Sequence, residues 1–335
     1  MTQTAWRVAG ASVQGTSHEA DGTPCQDAHA YAELQNGTLL IAIADGAGSA
    51  KHSEEGAERA VSQCISELST LLKSEAPGDR QTWKPLVTRA VEAAREELVS
   101  HARARQISVR DLACTLICAI VTDDQLVFGQ VGDGAVVSQD DSGFVHTVIA
   151  PSRGEYANET SFIVEADALD TMNVAWFSGR TQALFLTTDG LLRLLFALPS
   201  YTPHAPFFGA MMRFVGSADA HTETSEIEAN LAKFLESDRV NARTDDDKTL
   251  VIALRYGTAG EVALIEPVVA AEELVEEPAA ALEAADPESG VGSGPAQAPL
   301  SASERTTGES SESGEAAEQA VEPQAEPLAV NEEEQ

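Results

Sequence analysis

Leu39-Leu40-Ile41-Ala42-Ile43-Ala44-Asp45-Gly46-Ala47-Gly48-Ser49 decides how the rest of the chain is read. Six apolar residues run straight into an acidic one, and a glycine follows. A short apolar run bounded by turn residues marks a buried strand. Glycine permits a sharp turn and the close approach of a ligand to the main chain. Asp45 is therefore expected at the mouth of a buried strand, facing something small.

The same pattern returns. Leu126–Val131 leads into Gly132-Asp133-Gly134, and Ala183–Thr188 leads into Asp189-Gly190. Asp245-Asp246-Asp247-Lys248-Thr249 stands just before the strand-like run Leu250–Leu254. A single Asp-Gly is ordinarily a turn. Four strand ends that each carry a carboxylate point instead to convergence on one sheet edge, around a hard divalent cation. Oxygen ligands alone suit magnesium or manganese better than zinc.

Outward from this core, Trp6–Gln14 alternates as an opening strand, and Gly15–Asp27 reads as a loop broken by Gly15, Gly22 and Pro24. Ala28–Ala32 reads as a strand, which makes Asp27 a fifth carboxylate at an element's edge. Ala57, Ala60, Val61, Cys64, Ile65 and Leu68 follow a helical period from about Ser53 to Leu72, and a second helix is expected from about Trp83 to Arg105. Strands are expected over Asp111–Val121, Gln125–Val131, Gly134–Ser138, Val145–Ile149, Phe162–Val164, Val174–Phe177, Ala183–Thr188 and Thr249–Arg255, and helices over Leu191–Leu198, Phe207–Val215 and Ile227–Leu235. Short connections imply hairpins. With helices both early and late, the expected fold is α+β: a four-layer α-β-β-α sandwich of two mainly antiparallel sheets flanked by helices.

Of the 335 residues, those from 258 to 335 include nineteen acidic residues and one basic residue, Arg305. This stretch is rich in Ala, Glu, Pro and Ser and has no aromatic residue. It cannot bury enough apolar surface to offset its ordering entropy, so a disordered tail is expected after a domain spanning 1–257. Such a tail solubilises, or docks a basic partner. The formal charge of −33 argues against nucleic acid as a partner, because phosphate binding needs a basic surface. No segment is apolar over the roughly 18–20 residues that span a bilayer. The start lacks a basic region followed by an apolar one, and the four cysteines show no Cys-x-x-Cys spacing, so a cytoplasmic setting without membrane attachment is expected.

Carboxylates packed within a few Å repel one another unless cations neutralise them. Two divalent ions about 3.5–4 Å apart would do so, and would also turn a water between them into a nucleophile and neutralise phosphate oxygens. A phosphate ester is the substrate class that suits such a site. Rival chemistries are weakly supported: the seven histidines form no His-x-x-x-His, no Gly-x-Ser-x-Gly precedes a helix, and Gly46–Lys51 lacks the spacing of a phosphate loop.

Gln26-Asp27-Ala28, Ala44-Asp45-Gly46-Ala47-Gly48, Gly132-Asp133-Gly134, Thr188-Asp189-Gly190-Leu191 and Asp246-Asp247-Lys248-Thr249 stand in the order and approximate spacing of the metal-dependent protein phosphatases of type 2C. Together they resemble that family, and its bacterial branch most, through Gly22-Thr23-Pro24-Cys25-Gln26-Asp27. The resemblance covers about residues 5–257. It implies two or three Mn²⁺ or Mg²⁺ ions and hydrolysis of phosphoserine and phosphothreonine on proteins by a water bridging two of them. It implies that Asp45 bridges the two central ions, that the Gly46 carbonyl serves the second, and that Asp189 and Asp246 hold the first. Asp133, with Asp189, would hold a weaker third ion, and Asp27 would stand behind the metals as a catalytic carboxylate. Asp246 is chosen over Asp247 by alignment alone.

Two positions depart from the family pattern. Ala47 stands where many members carry a histidine, a candidate general acid. Gly22 stands where many carry a phosphate-gripping arginine. His18 or His52 could supply the proton, and His18, Lys51, Arg110 or Arg153 could grip the phosphate. The alternative expectations are a catalytically weak, phosphatase-like module that binds a kinase or phosphoprotein, and a phosphatase of small phosphate esters. A serine/threonine kinase acting in opposition follows from reaction logic.

Overall fold

The computed structural model describes residues 6–73, 80–151, 160–217 and 223–256. In chain order these form β1 (Trp6–Val13), α1 (Thr16–Asp21), β2 (Ala28–Glu33), β3 (Leu39–Ala44), α2 (Ser53–Leu71), α3 (Arg80–Arg105), β4 (Leu116–Val121), β5 (Gln125–Val131), β6 (Ala135–Asp140) and β7 (Val145–Ile149). Then follow α4 (Ala168–Thr171), β8 (Asn173–Ser178), β9 (Thr181–Thr187), α5 (Leu192–Leu195), β10 (Phe196–Ala197), β11 (Thr202–Pro203), α6 (Ala205–Gly216), α7 (Thr224–Leu235), α8 (Asp238–Asn241) and β12 (Lys248–Arg255). One sheet runs β1-β12-β9-β6-β7 and the other β2-β3-β4-β5-β8, and every neighbouring pair is antiparallel. β10 and β11 pair as a two-stranded ribbon.

β3 shows why there are four layers. Its Leu40, Ala42 and Ala44 share a packed cluster with Ala60, Val61 and Cys64 of α2 and with Val87, Ala90 and Ala94 of α3. Its Leu39, Ile41 and Ile43 face the other way and cluster with Val8, Leu184, Leu186, Val251 and Ala253 of the second sheet. The far side of that second sheet, through Ala11, Phe185 and Ile252, packs with Phe208 and Met212 of α6 and Leu231 of α7. Three apolar interlayers therefore separate α, β, β and α layers, as the sequence leads one to expect. A strand buried on both faces has no polar face to alternate, which is why the run Leu39–Ala44 is unbroken. Small side chains let the helices lie close: a Cβ on Gly129 would fall 2.4 Å from Val87 Cγ1.

The structure corrects several local expectations. Gly15–Asp27 is not all loop, because α1 lies within it; none of its residues is buried, so no apolar stripe announces it. The strand expected over Asp111–Val121 starts only at Leu116, since Val109–Leu112 forms a 3-10 turn capped by Ser108 and Asp111. Ile163 and Val164 form a turn and Phe162 belongs to no strand, and α4 and α8 lie in stretches not expected to be helical. The helix expected over Leu191–Leu198 stops at Leu195 and passes into β10; Pro199 disfavours helix in the residue before it. The expected tail (258–335) and Arg153 lie outside the described residues, as does the turn expected from Ala76 to Arg80 except for Arg80, which begins α3.

A candidate metal centre at one end of the sandwich

In an antiparallel sheet, the end of one strand and the start of its neighbour share an edge. Asp45 follows β3 while Asp27 precedes its neighbour β2. Asp189 follows β9 while Asp246 precedes its neighbour β12. Asp133 lies in the turn between β5 and β6, which joins the two sheets. Alternating chain direction thus delivers acidic residues from both sheets to one end of the fold.

The Asp45 turn is clamped from two sides. Its N–H donates to Thr115 Oγ1 at 2.9 Å, and its carbonyl accepts from the Thr115 N–H at 2.8 Å. Next, Gly46 donates its N–H to the Gln26 carbonyl at 3.0 Å, and Ala47 donates to the Ala113 carbonyl at 2.9 Å. Gly46 and Gly190 prove to serve packing of the acidic loops, whereas Gly132 before Asp133 takes the positive φ (110°) that glycine permits. Neither Gly46 nor Gly190 has positive φ. A Cβ on Gly190 would lie 2.0 Å from the Asp247 carbonyl oxygen, and one on Gly46 would lie 2.7 Å from the Gln26 carbonyl oxygen. Any other residue there would push the acidic loops apart.

The side chains interact strongly. Burial first, then Asp27, Asp189 and Asp246, raise the Asp45 carboxyl well above the ordinary carboxylate range, and Asp189 also hydrogen-bonds to it. Asp189 is raised to about 6 by burial and by Asp133, with Asp246 adding to the push. Asp27 is raised to about 8, chiefly by burial, although the Thr188 and Thr249 hydroxyls pull it back. Burial also raises Asp246. Asp133 accepts from the Thr160 hydroxyl at 2.7 Å. The structure therefore brings together Asp27, Asp45, Asp133, Asp189 and Asp246. The nearby Lys248 ammonium is spent elsewhere, on the Gln14 carbonyl at 3.3 Å and Asn241 Oδ1 at 2.8 Å.

Asp246 and Asp247 differ in what they are free to do. Asp247 is buried; its Oδ1 accepts the Gly15 N–H and its Oδ2 the Gln26 N–H, both at 2.6 Å, and His18 Nδ1 stands 3.0 Å from Oδ1. Its oxygens are committed to tying three segments together. Asp246 keeps much of its surface exposed although its carboxyl is partly desolvated, and among the described residues its Oδ1 takes only the Asp247 N–H at 2.9 Å. Periodicity and spacing carry no trace of the Asp247 clamp or of its contact with His18, because both depend on the segment from Gly15 to Gln26 folding back over the loop before β12. Of the other candidates, Ala47 is buried in the helix-side core, while Lys51 and Arg110 are exposed. His52 stands at the N-cap position of α2 with no side-chain cap bond, its backbone N–H donating to the Asp111 carbonyl at 2.8 Å.

The donor set fits a small divalent cation. Among the described residues, no three His, Cys, Asp or Glu side chains form a ready-made cage. Magnesium-like ions do not require one: they keep several waters and take only one or two carboxylates. The site offers oxygens alone, burial and then neighbouring carboxylates hold the Asp45 and Asp189 carboxyls above their usual range, and among the described residues Asp27 Oδ1 and Gln26 Oε1 are buried without a hydrogen bond.

A family model described as protein phosphatase 2C matches residues 14–236. The chain belongs to that family. It is 38% identical over 254 residues to serine/threonine-protein phosphatase 3 of Escherichia coli (strain K12), a match covering 74% of this chain and 98% of that one. The fold is also that of the S. agalactiae serine/threonine phosphatase, with a TM-score of 0.50 at 13% identity, covering 75% of this chain and 99% of the other.

Proposed function

We propose that this protein hydrolyses phosphoserine and phosphothreonine esters on proteins with the help of Mn²⁺ or Mg²⁺. The observation that carries this is the gathering of acidic side chains from both sheets at one edge, with no ion pair to Asp45, Asp133, Asp189 or Asp246 among the described residues. Asp45, the Gly46 carbonyl, Asp189 and Asp246 would hold two ions, and Asp133 with Asp189 a third. Bound there, such ions acidify water and neutralise the oxygens of a phosphate. The chain's own residues supply the setting. Thr115 fixes the Asp45 turn, Asp247 fixes the loop that presents Asp246, and Thr188 orients the Asp27 carboxyl at 2.8 Å for proton acceptance. The E. coli relative's name supports protein rather than small-molecule substrates.

A kinase that opposes the enzyme and a cytoplasmic setting belong to the same proposal. Among the described residues the four cysteines are unpaired and no helix is long and apolar enough to cross a membrane. Ala47 keeps a second reading in play, a phosphoprotein-binding module, since no imidazole occupies that turn. Phosphate release from a phosphothreonine peptide, a sugar phosphate and an aryl phosphate, each with and without manganese, decides. The phosphatase releases phosphate only with metal, prefers the peptide to the sugar phosphate, and loses activity on Asp45→Asn. A wild-type protein that binds the peptide but releases nothing with manganese is the binding module.

A further inference from the structure

Two loops tied to each other lead out from the acidic edge. The Asp45 carbonyl accepts the Thr115 N–H, Gly46 bridges to Cys114, Ala47 donates its N–H to the Ala113 carbonyl, and His52 donates to the Asp111 carbonyl. This short ladder starts at Asp45 and ends where α2 begins. At its outer end Lys51 precedes His52 on one loop and Arg110 precedes Asp111 on the other, so a single rung joins their neighbours. Both side chains are exposed, and among the described residues neither makes an ion pair or a side-chain hydrogen bond. Between Asp45 and Lys51 the surface is open: Gly48 and Ser49 are exposed, and a Cβ on Gly48 would meet nothing within 4 Å.

Charge along these loops runs against the rest of the chain. The sequence holds 54 acidic and 21 basic residues, yet Gly46–His52 and His101–Arg110 contain no acidic residue and together carry Lys51, Arg103, Arg105 and Arg110. Several cations elsewhere are spent within the fold: Arg59 and Arg105 on Glu55, Arg89 on Glu67, and Arg255 on Asp123. Asp111, the carboxylate adjoining Arg110, accepts the Ser108 N–H on its Oδ2 at 3.3 Å. Unpaired cations beside an acidic edge draw an incoming anion toward it. Divalent ions at the edge would answer the phosphoryl group. Lys51 and Arg110 stand one loop further out, beyond the open surface at Gly48, where residues next to the phosphorylated one would lie.

We propose that Lys51 and Arg110 form a rim that selects phosphopeptides carrying acidic residues beside the phosphorylated one. The selection rests on the phosphatase function above, and it concerns which protein segments enter the site rather than the hydrolysis itself. It differs from a grip on the phosphate, which every substrate carries alike.

Phosphate release by the full chain with saturating manganese, from phosphothreonine peptides alike except for acidic, neutral or basic flanks, tests it. The reading is the ratio of kcat/KM between the acidic and basic peptides, in which a general loss from folding or metal loading cancels. Exposed ion pairs are individually weak, so Lys51→Ala and Arg110→Ala should each lower that ratio about three- to fivefold. Lys51→Glu combined with Arg110→Glu, which turns attraction into repulsion, should lower it about 30-fold or more. Raising salt from about 0.01 to about 1 M should shrink the wild-type ratio through screening. Lys84→Glu, the same charge change near the start of α3, should leave the ratio where it was. An equal loss on all three peptides would make the two residues a phosphate grip and overturn the proposal. So would a shift of the same size from Lys84→Glu, or a gain on every peptide after charge reversal, the sign of the chain's own acidic tail on the rim. A chain that releases phosphate from none of the peptides loses the phosphatase reading. Fluorescence anisotropy of the acidic peptide with a phosphonate in place of the phosphate then reads the rim alone: binding lost on charge reversal upholds it, and binding that survives overturns it.

Discussion

Two charged clusters in this molecule meet opposite fates. On the α2–α3 surface, Glu55 faces His101 Nε2 at 2.8 Å, Arg59 at 3.5 Å and Arg105. Burial pushes its carboxyl up, but His101, Arg105 and Arg59 together outweigh that and hold it below the usual range. At the strand ends, Asp45 faces Asp27, Asp189 and Asp246, and its carboxyl is driven well above that range. One cluster is neutralised from within the chain. The other is assembled so that neutralising charge must come from outside, and that demand is the physical basis for reading it as a cation site.

The widest separation between the two comes from Asp45→Asn. Activity with manganese should fall by about a thousandfold or more, since a cation site supplies several kcal/mol of transition-state stabilisation. The metal-free protein should nevertheless melt at a higher temperature, because a buried like-charge contact is gone. If calorimetry without metal shows Asp45→Asn to be less stable than wild type, the strand-end cluster was not under electrostatic load.

Asp246 and Asp247 repeat the contrast within one loop. Asp247→Ala strands two backbone N–H groups and should cost about 3 kcal/mol in denaturant unfolding. Asp246→Ala should change stability by no more than about 0.5 kcal/mol while weakening manganese binding in a titration. The reverse assignment would be the correct one if Asp247→Ala alone lost the metal.

The metal-free protein should also lose stability as pH rises. Asp27 keeps its proton up to about 8 when folded, whereas an unfolded aspartate releases it near 4. Between those values the folded state binds more protons, so the melting temperature should decline from pH 5 to pH 8. Asp27→Asn should flatten that decline and manganese at pH 8 should oppose it. A melting temperature that climbs steadily over this interval in the absence of metal would contradict a buried Asp27 that keeps its proton.

Smallest of all is Glu55→Gln. Partly exposed ion pairs contribute about 1 kcal/mol or less, so stability should drop by no more than that and kcat should stay put. A large loss of activity would mean that the α2–α3 surface takes part in the reaction.

Much of this was legible before any folding. The unbroken run Leu39–Ala44 announced a strand buried on both faces, and the repeated Asp-Gly endings announced a shared edge. Less was legible where the cause lay far away in the chain. α1 buries no residue and has no periodic signature; it is held by the Asp245 carbonyl, which accepts the Ser17 N–H at 3.0 Å. The glycines beside the aspartates are expected to serve turns or a ligand; Gly132 does take a positive φ, but the need for Gly46 and Gly190 comes from the Gln26 and Asp247 carbonyls pressing on them.

By itself, then, the sequence determined the sandwich and named the acidic residues, because apolar runs and strand-end carboxylates are local patterns. Which oxygens are committed and which are free was decided only by tertiary structure. Asp247 differs from Asp246 because Gly15 and Gln26, more than two hundred residues earlier, bring their N–H groups to it. No local pattern records a partner that distant, since the contact exists only once β1 has paired with β12.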